Sequence, residues 1–195
     1  MIFILSTPLT SAFAKTEGNY FGVDFVNTRT DLDQIKQSDG SKIKYNNGDE
    51  DNSNQPSAGI NYKYALNYRS FFAMPELFAE YSNATARTIS NDELSLKYRY
   101  GARLNLGYDY DDFLAVYLIT GFANNNYEVL EASNGSKKTG NDFAPIYGGG
   151  FKLSMTKQID LNFSYEVSDV TMKTQYQDKW NFDVKVLRIG LAYKF

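Results

Sequence analysis

A strict two-residue alternation of apolar and polar side chains constrains this chain more than any other feature of its sequence. Between Leu96 and Tyr108 the even positions hold leucine, tyrosine or alanine, and the odd positions hold lysine, arginine, glycine or asparagine. A helix would mix these two sets on each of its faces, because its period is about 3.6 residues. The segment therefore predicts a β-strand with one apolar and one polar face.

The same period recurs in eight runs along the chain. They lie at about 19–28, 58–68, 71–82, 94–108, 113–124, 143–155, 159–168 and 183–195. Most of these runs are close to the roughly 9 to 11 residues that a tilted strand needs to cross a bilayer. No run approaches the roughly 20 apolar residues of a membrane-spanning helix. The pattern predicts an all-β fold, an eight-stranded antiparallel up-and-down transmembrane β-barrel.

The connections between the runs alternate in length. Three are short turns, at 69–70, 109–112 and 156–158, and four are long and polar, at 29–57, 83–93, 125–142 and 169–182. Short periplasmic turns at one end and long external loops at the other are typical of outer-membrane barrels. A soluble lipocalin-like barrel also has eight alternating strands, with its apolar side chains inside around a ligand. That architecture stays open as an alternative.

Charged side chains of both signs recur in mid-strand on the polar face. They are Asp24, Lys63, Glu76, Glu80, Arg99, Arg103, Lys152, Glu166 and Arg188. Inside a barrel such groups could pair, which is the condition for burying charge. We therefore predict a lumenal charge network. If the barrel conducted small solutes, the surplus of lysine and arginine in this set would favour anions.

The chain ends on an alternating apolar series that finishes with an aromatic residue. The series is Leu187, Ile189, Leu191, Tyr193 and Phe195. It resembles the terminal assembly signal of outer-membrane barrels. Together with the segments 19–24 and 147–153, it makes the chain similar to the eight-stranded barrels of the outer-membrane protein A, opacity and small porin-like surface-antigen families. The resemblance implies a place in the bacterial outer membrane, contact with its lipid, and the barrel-assembly machinery as a partner during biogenesis.

The first residues read as an export signal. Met1 to Ala14 form an apolar run that ends in Ala12-Phe13-Ala14 before Lys15, which fits a small-x-small cleavage site. We predict an export segment at 1–14 and a barrel domain at 15–195. No basic residue precedes the apolar run, so the natural start could lie upstream of Met1. The alternative is a first β-strand that stays in the protein.

Composition narrows the function. The chain has no cysteine and no histidine, which removes the usual catalytic base, the usual metal ligand and thiolate chemistry. We predict no enzyme activity, no catalytic or metal residues and no cofactor. A formal charge of −3 gives no basis for a nucleic-acid partner.

The sequence therefore favours a structural and surface-interaction role, as a surface antigen or adhesin-like protein. Its four long loops, 29–57, 83–93, 125–142 and 169–182, would meet a host or cell-surface ligand, because function concentrates in loops held on rigid scaffolds. A narrow porin-like channel for small solutes is the first alternative. A soluble lipocalin-like carrier in the periplasm is the second.

Overall fold

The computed structural model describes residues 16–36, 42–44, 55–82, 84–87, 93–130, 135–173 and 179–195. Within these ranges the chain forms ten antiparallel strands and no helix, so no helix there is long and apolar enough to cross a membrane. The strands are β1 (Gly18–Lys36), β2 (Lys42–Lys44), β3 (Gln55–Tyr68), β4 (Phe71–Tyr81), β5 (Thr85–Arg87), β6 (Glu93–Asp109), β7 (Leu114–Leu130), β8 (Lys137–Ser154), β9 (Ile159–Lys173) and β10 (Lys179–Lys194). The predicted export segment at 1–14 lies outside the described residues.

The eight long strands close into a barrel. Each pairs with the next long strand in the chain, and β10 pairs with β1 from Tyr20 opposite Lys194 to Lys36 opposite Lys179. The short strands β2 and β5 pair with β1 and β6 at the end of the barrel that carries the long connections. Both edges of the long strands are paired through most of the barrel, although beyond Tyr147 opposite Val167 the registers contain no pairing between β8 and β9. The predicted fold class is confirmed.

The short connections lie where the alternation places them. Arg69 and Ser70 join β3 to β4, residues 110–113 join β6 to β7, and residues 155–158 join β8 to β9. Arg69 adopts a positive φ of 58°, which a two-residue hairpin turn requires and which only glycine adopts freely. Both described chain ends also lie at this end of the barrel.

The strands reach farther toward the long connections than predicted. β1 runs to Lys36 instead of 28, β7 to Leu130 instead of 124, β8 begins at Lys137 instead of 143, and β10 begins at Lys179 instead of 183. The predicted loops 29–57, 125–142 and 169–182 are therefore partly strand. A change in the phase of the alternation explains the error.

That phase change is visible on β1 and β10. Phe21, Val23 and Phe25 face outward on β1, whereas farther along the outward positions are Asn27 and Arg29. On β10 the apolar outward series ends at Leu187, and beyond it valines and a phenylalanine turn inward, at Phe182, Val184 and Val186. The barrel is thus apolar outside and polar inside in one zone, and polar outside and apolar inside in the next. We call the second zone the external extension.

Candidate functional site

The external extension has an apolar interior. Ten buried side chains from six strands pack together there: Val26, Leu94, Leu96, Tyr127, Val129, Ala144, Val170, Phe182, Val184 and Val186. The rings of Tyr127 and Phe182 meet edge to face, with centroids 5.0 Å apart. This interior resembles that of a soluble β-barrel, because the outward positions at this level are polar and face water.

Below the apolar layer lies a layer of buried charge. Eight ionisable side chains from β1, β3, β4, β6, β9 and β10 point into the lumen: Asp24, Lys63, Glu76, Glu80, Arg99, Arg103, Glu166 and Arg188. All eight are no more than 6% exposed. Burying charge is costly unless each group is paired and hydrogen-bonded, and here each has at least one ion-pair partner.

Glu166 is the centre of this network. It accepts hydrogen bonds from both Arg103 and Arg188, although the three residues come from β9, β6 and β10. Arg188 also pairs with Glu80 across the lumen, and its Nε lies 3.4 Å from Asp24 Oδ2. The network therefore ties opposite walls of the barrel together as well as neighbouring strands.

Neighbouring strands supply the remaining contacts. Arg103 Nη2 lies 2.6 Å from Glu76 Oε1, and Arg99 Nη1 lies 3.2 Å from Glu80 Oε2. Two asparagines donate further hydrogen bonds to the carboxylates: Asn105 Nδ2 donates to Glu76 Oε2 at 2.7 Å, and Asn61 Nδ2 donates to Asp24 Oδ2 at 2.8 Å. The Arg103 guanidinium also lies 4.1 Å from the ring centroid of Phe78.

Glycines leave room in the lumen for the side chains of the charged layer. A Cβ on Gly190 would collide with Asp24 Oδ1, and one on Gly22 would lie 2.6 Å from Asn61 Oδ1. These positions can therefore hold only glycine while the network keeps its packing. The void left between the charged groups has a volume of about 10 Å³. The described lumen is filled by side chains at this level.

The charges in this layer balance. Four cationic groups, Lys63 and three arginines, face four carboxylates. The ninth predicted member, Lys152, lies apart from them near the periplasmic end, where its Nζ is 3.7 Å from Asp160 and 3.9 Å from Asp109. The expected surplus of lumenal cations is wrong, because Asp109 and Asp160 offset Lys152. The basis for anion preference disappears with it.

The periplasmic end is closed by a third layer. Apolar and aromatic side chains fill the lumen there, among them Phe72, Met74 and Tyr117. Thr16 is fully buried beneath them: its Oγ donates to Asp109 at 2.5 Å and accepts from Lys152 Nζ at 2.6 Å. Thr16, two residues before β1, thus lies inside the mouth of the barrel at the short-turn end.

A charged cluster also lies on the outer surface, at the start of the external extension. Arg29 Nε lies 2.6 Å and Lys185 Nζ 2.7 Å from the two carboxylate oxygens of Asp31. Burial acts to raise the pKa of Asp31, but hydrogen bonds from Lys185 and Arg29 outweigh it and hold that pKa below its usual value. The hydrogen bond between Lys185 and Asp31 also raises the pKa of Lys185.

Sequence comparison then decides the family. Residues 2–195 match the family described as outer membrane protein beta-barrel domain. The chain belongs to this family. This outer-membrane barrel lies in the bacterial outer membrane, and its exposed apolar belt, which includes Phe25, Leu118 and Leu187, faces lipid. The soluble lipocalin-like alternative is therefore wrong.

Solved structures of other surface barrels share the fold. The attachment invasion locus protein Ail of Yersinia pestis, solved with the heparin analogue sucrose octasulfate, is 14% identical with a TM-score of 0.54, over 92% of this chain and 99% of that one. Neisserial surface protein A is 17% identical with a TM-score of 0.59, over 92% and 98%. OprG of Pseudomonas aeruginosa is 15% identical with a TM-score of 0.53, over 92% and 97%. No curated protein matches the chain.

The structure places the predicted site residues of this outer-membrane barrel as follows. Eight of the nine predicted lumenal charges form the central network, and Lys152 joins the periplasmic cluster. The terminal series from Leu187 to Phe195 faces outward along β10, and its role in assembly stays a prediction. Sequence reasoning missed Thr16, Asp109 and Asp160. The signal for Asp160 was present, since it shares the inward phase of Asn162 and Glu166 on β9.

Proposed function

We propose that this outer-membrane barrel is a sealed scaffold that presents a surface for molecular contact outside the cell. The single observation that carries the proposal is the phase change, which turns the outer half of the strands into a water-facing extension with its own apolar core. A chain that only had to cross the membrane would not need these additional strand residues.

The reach of the extension supports this role. On β10 it runs from Lys179 to Val186, and eight strand residues at about 3.3 Å each, tilted by about 40°, rise roughly 20 Å beyond the apolar belt. A rigid rise of this kind holds the connecting segments away from the lipid surface. A host or cell-surface ligand would then meet them without approaching the membrane.

The direct test is attachment of cells that express the barrel. Replacing the segments 45–54 and 131–134 with short glycine-serine linkers leaves every described strand intact. We expect cells with the unchanged barrel to attach to cultured host cells above the background of non-expressing cells, and cells with the trimmed barrel to fall to background. Equal attachment of all three strains, with both barrels folded at the surface, would reject the proposal.

The competing function is a narrow porin-like channel, which would require an open path through the lumen. An eight-stranded barrel has room for side chains and little else. The described lumen is closed in turn by the apolar layer, by the balanced charges around Glu166 and by the aromatic layer near Tyr117. In planar bilayers we expect no unitary conductance from the refolded barrel. Stable conductance steps in neutral salt would favour the channel instead.

A further inference from the structure

We infer that the outer face carries a binding site for one outer-leaflet lipid with an anionic phosphate headgroup, held by Arg29 and Lys185 above an apolar groove on β3, β4 and β6. The site lies on the membrane-facing wall and is separate from the external contact surface proposed above. It uses no residue of the lumen.

The headgroup part of the site is a pair of cations fixed in register. Arg29 on β1 lies directly opposite Lys185 on β10, and both face outward. Asp31 bridges them at 2.6 and 2.7 Å, which holds the two long side chains in one place. About half of the Arg29 side chain and a third of the Lys185 side chain remain exposed. Donors on both groups are therefore available to a phosphate.

The position of this pair is the level of lipid headgroups. The outward apolar series ends at Phe25 on β1 and at Leu187 on β10, only a few residues below the two cations. Basic side chains at this boundary attract anionic headgroups, at roughly 1 kcal/mol for each lysine or arginine. An anion with an acyl tail reaches the pair from the membrane side.

Acidic residues lie on the other side of the pair. Asp31, Asp183 and Asp169 stand in register on β1, β10 and β9, one step farther from the membrane. A soluble anion arriving from outside the cell meets these carboxylates first, and like charges repel it. Because the cations lie nearer the membrane than the carboxylates, we expect a phosphate to reach them from the lipid side.

The acyl part of the site is a groove of about 700 Å³ in the same leaflet. Its outward-facing lining is made by Ala58, Ile60, Ala79, Tyr81, Tyr98 and Tyr100. Two alanines form its floor, and the rings of Tyr81 and Tyr98 close its upper end with centroids 5.5 Å apart. Rings at this level are typical of the membrane interface.

The groove and the cation pair are neighbours. Phe25 on β1 pairs with Ala58 on β3, which in turn pairs with Tyr81 on β4. Adjacent strands lie about 4.8 Å apart, so Ala58 on β3 and Ala79 on β4, which form the groove floor, lie roughly 5 and 10 Å from β1. The two parts can therefore be occupied by the headgroup and an acyl chain of one lipid.

The test is lipid-dependent thermal stability. Refolded barrel is compared in vesicles of phosphatidylcholine alone and in vesicles that also contain phosphatidylglycerol, with Tm read from the loss of the heat-modifiable gel band. We expect Tm to rise with phosphatidylglycerol, because a ligand that binds only the folded state stabilises it. The variant R29Q/K185Q should lose most of that rise, and Ala79→Leu, which fills the groove, should lose part of it.

The control is Lys137→Gln, which removes an exposed cation paired with Glu128 in the external extension. It should keep the full rise, since it lies outside the site. An equal rise in R29Q/K185Q and in Lys137→Gln would overturn the inference, because only general surface charge would then matter. A rise of the same size with soluble glycerol phosphate in phosphatidylcholine vesicles would overturn it as well, since a free anion would then suffice.

Discussion

The buried charges give the barrel its sharpest dependence on single residues. Glu166 receives hydrogen bonds from Arg103 and Arg188, so removing one arginine leaves a carboxylate under-compensated in a site whose void is only about 10 Å³. Breaking a buried ion pair from one side typically costs about 3 to 5 kcal/mol. We therefore expect the stability of the folded barrel to depend on the network.

We predict that Arg103→Met leaves export intact and weakens the folded barrel by about 3 to 5 kcal/mol. The measurement is denaturant unfolding in lipid vesicles together with heat-modifiable gel mobility. Lys137→Met is the matched control, because it removes an exposed cation whose ion pair contributes at most about 1 kcal/mol. Unchanged stability of Arg103→Met would show that the lumenal network does not hold the barrel together.

Acid should weaken the outer cluster first through Asp31. The pKa of this carboxyl is lower in the folded barrel than in the unfolded chain, so its stabilisation is present above the unfolded value of about 3.9 and is lost as pH falls through the folded value. We expect the stability difference between wild type and Asp31→Asn to be constant near neutral pH and to shrink below about pH 4. Denaturant titrations of both proteins across this range check it, and a difference independent of pH would contradict it.

At the residue scale the sequence revealed which side chains are inside but not which ones meet. The alternation placed Asp24, Glu80 and Arg188 on the polar face. The contact between Glu80 and Arg188 joins residues 108 positions apart in the chain and depends on the shear of the closed barrel. Thr16 lies outside any alternating run, so periodicity gave no signal for its buried position.

At the scale of the strand, the inversion of inside and outside is the main finding. β1 and β10 change their surroundings at one level: on the same face of β1, Phe25 faces the lipid chains and Arg29 lies at the level of the headgroups. The loss of folding stability caused by a charge on the outer face should therefore depend on whether the charge lies within the apolar belt or in the external extension. A uniform transmembrane strand would show no such step.

This step can be measured with arginine substitutions. Leu118 is 72% exposed in the middle of the outward apolar series of β7, so Leu118→Arg should cost about 2 to 4 kcal/mol near the bilayer midplane. Thr171→Arg lies outward on β9 in the external extension and should cost less than about 1 kcal/mol. Refolding titrations in vesicles give both values. Equal costs would mean that the extension is also immersed in lipid.

The inversion was readable in the sequence and explains where strand prediction failed. From Phe182 to Val186 the apolar residues occupy even positions, whereas from Leu187 to Phe195 they occupy odd ones. A search for one phase per strand stops at the change and assigns the remainder to a loop. The prediction of the short turns was not affected by this error, because the lipid-facing alternation of the strands continues up to the periplasmic end of the barrel.

For the whole molecule, the extension predicts a distinctive pattern of proteolysis. Arg29 and Lys185 lie within paired strands outside the apolar belt, so trypsin added to intact cells should not cut after them, although both side chains are partly exposed. Lys157, in the short turn at 155–158, should be cut only after the cells are permeabilised. Mass spectrometry of the released peptides checks both sites. Early cleavage after Arg29 would mean that the extension is not a folded part of the barrel.

The layered lumen separates closure of the barrel from the segments that connect its strands. The described strands carry every layer of the seal, from Val184 through Glu166 to Tyr117, so the seal does not depend on the long connecting segments. Under the proposed contact role, changes in the length or sequence of those segments would alter what the barrel binds and would leave every layer of the described lumen in place.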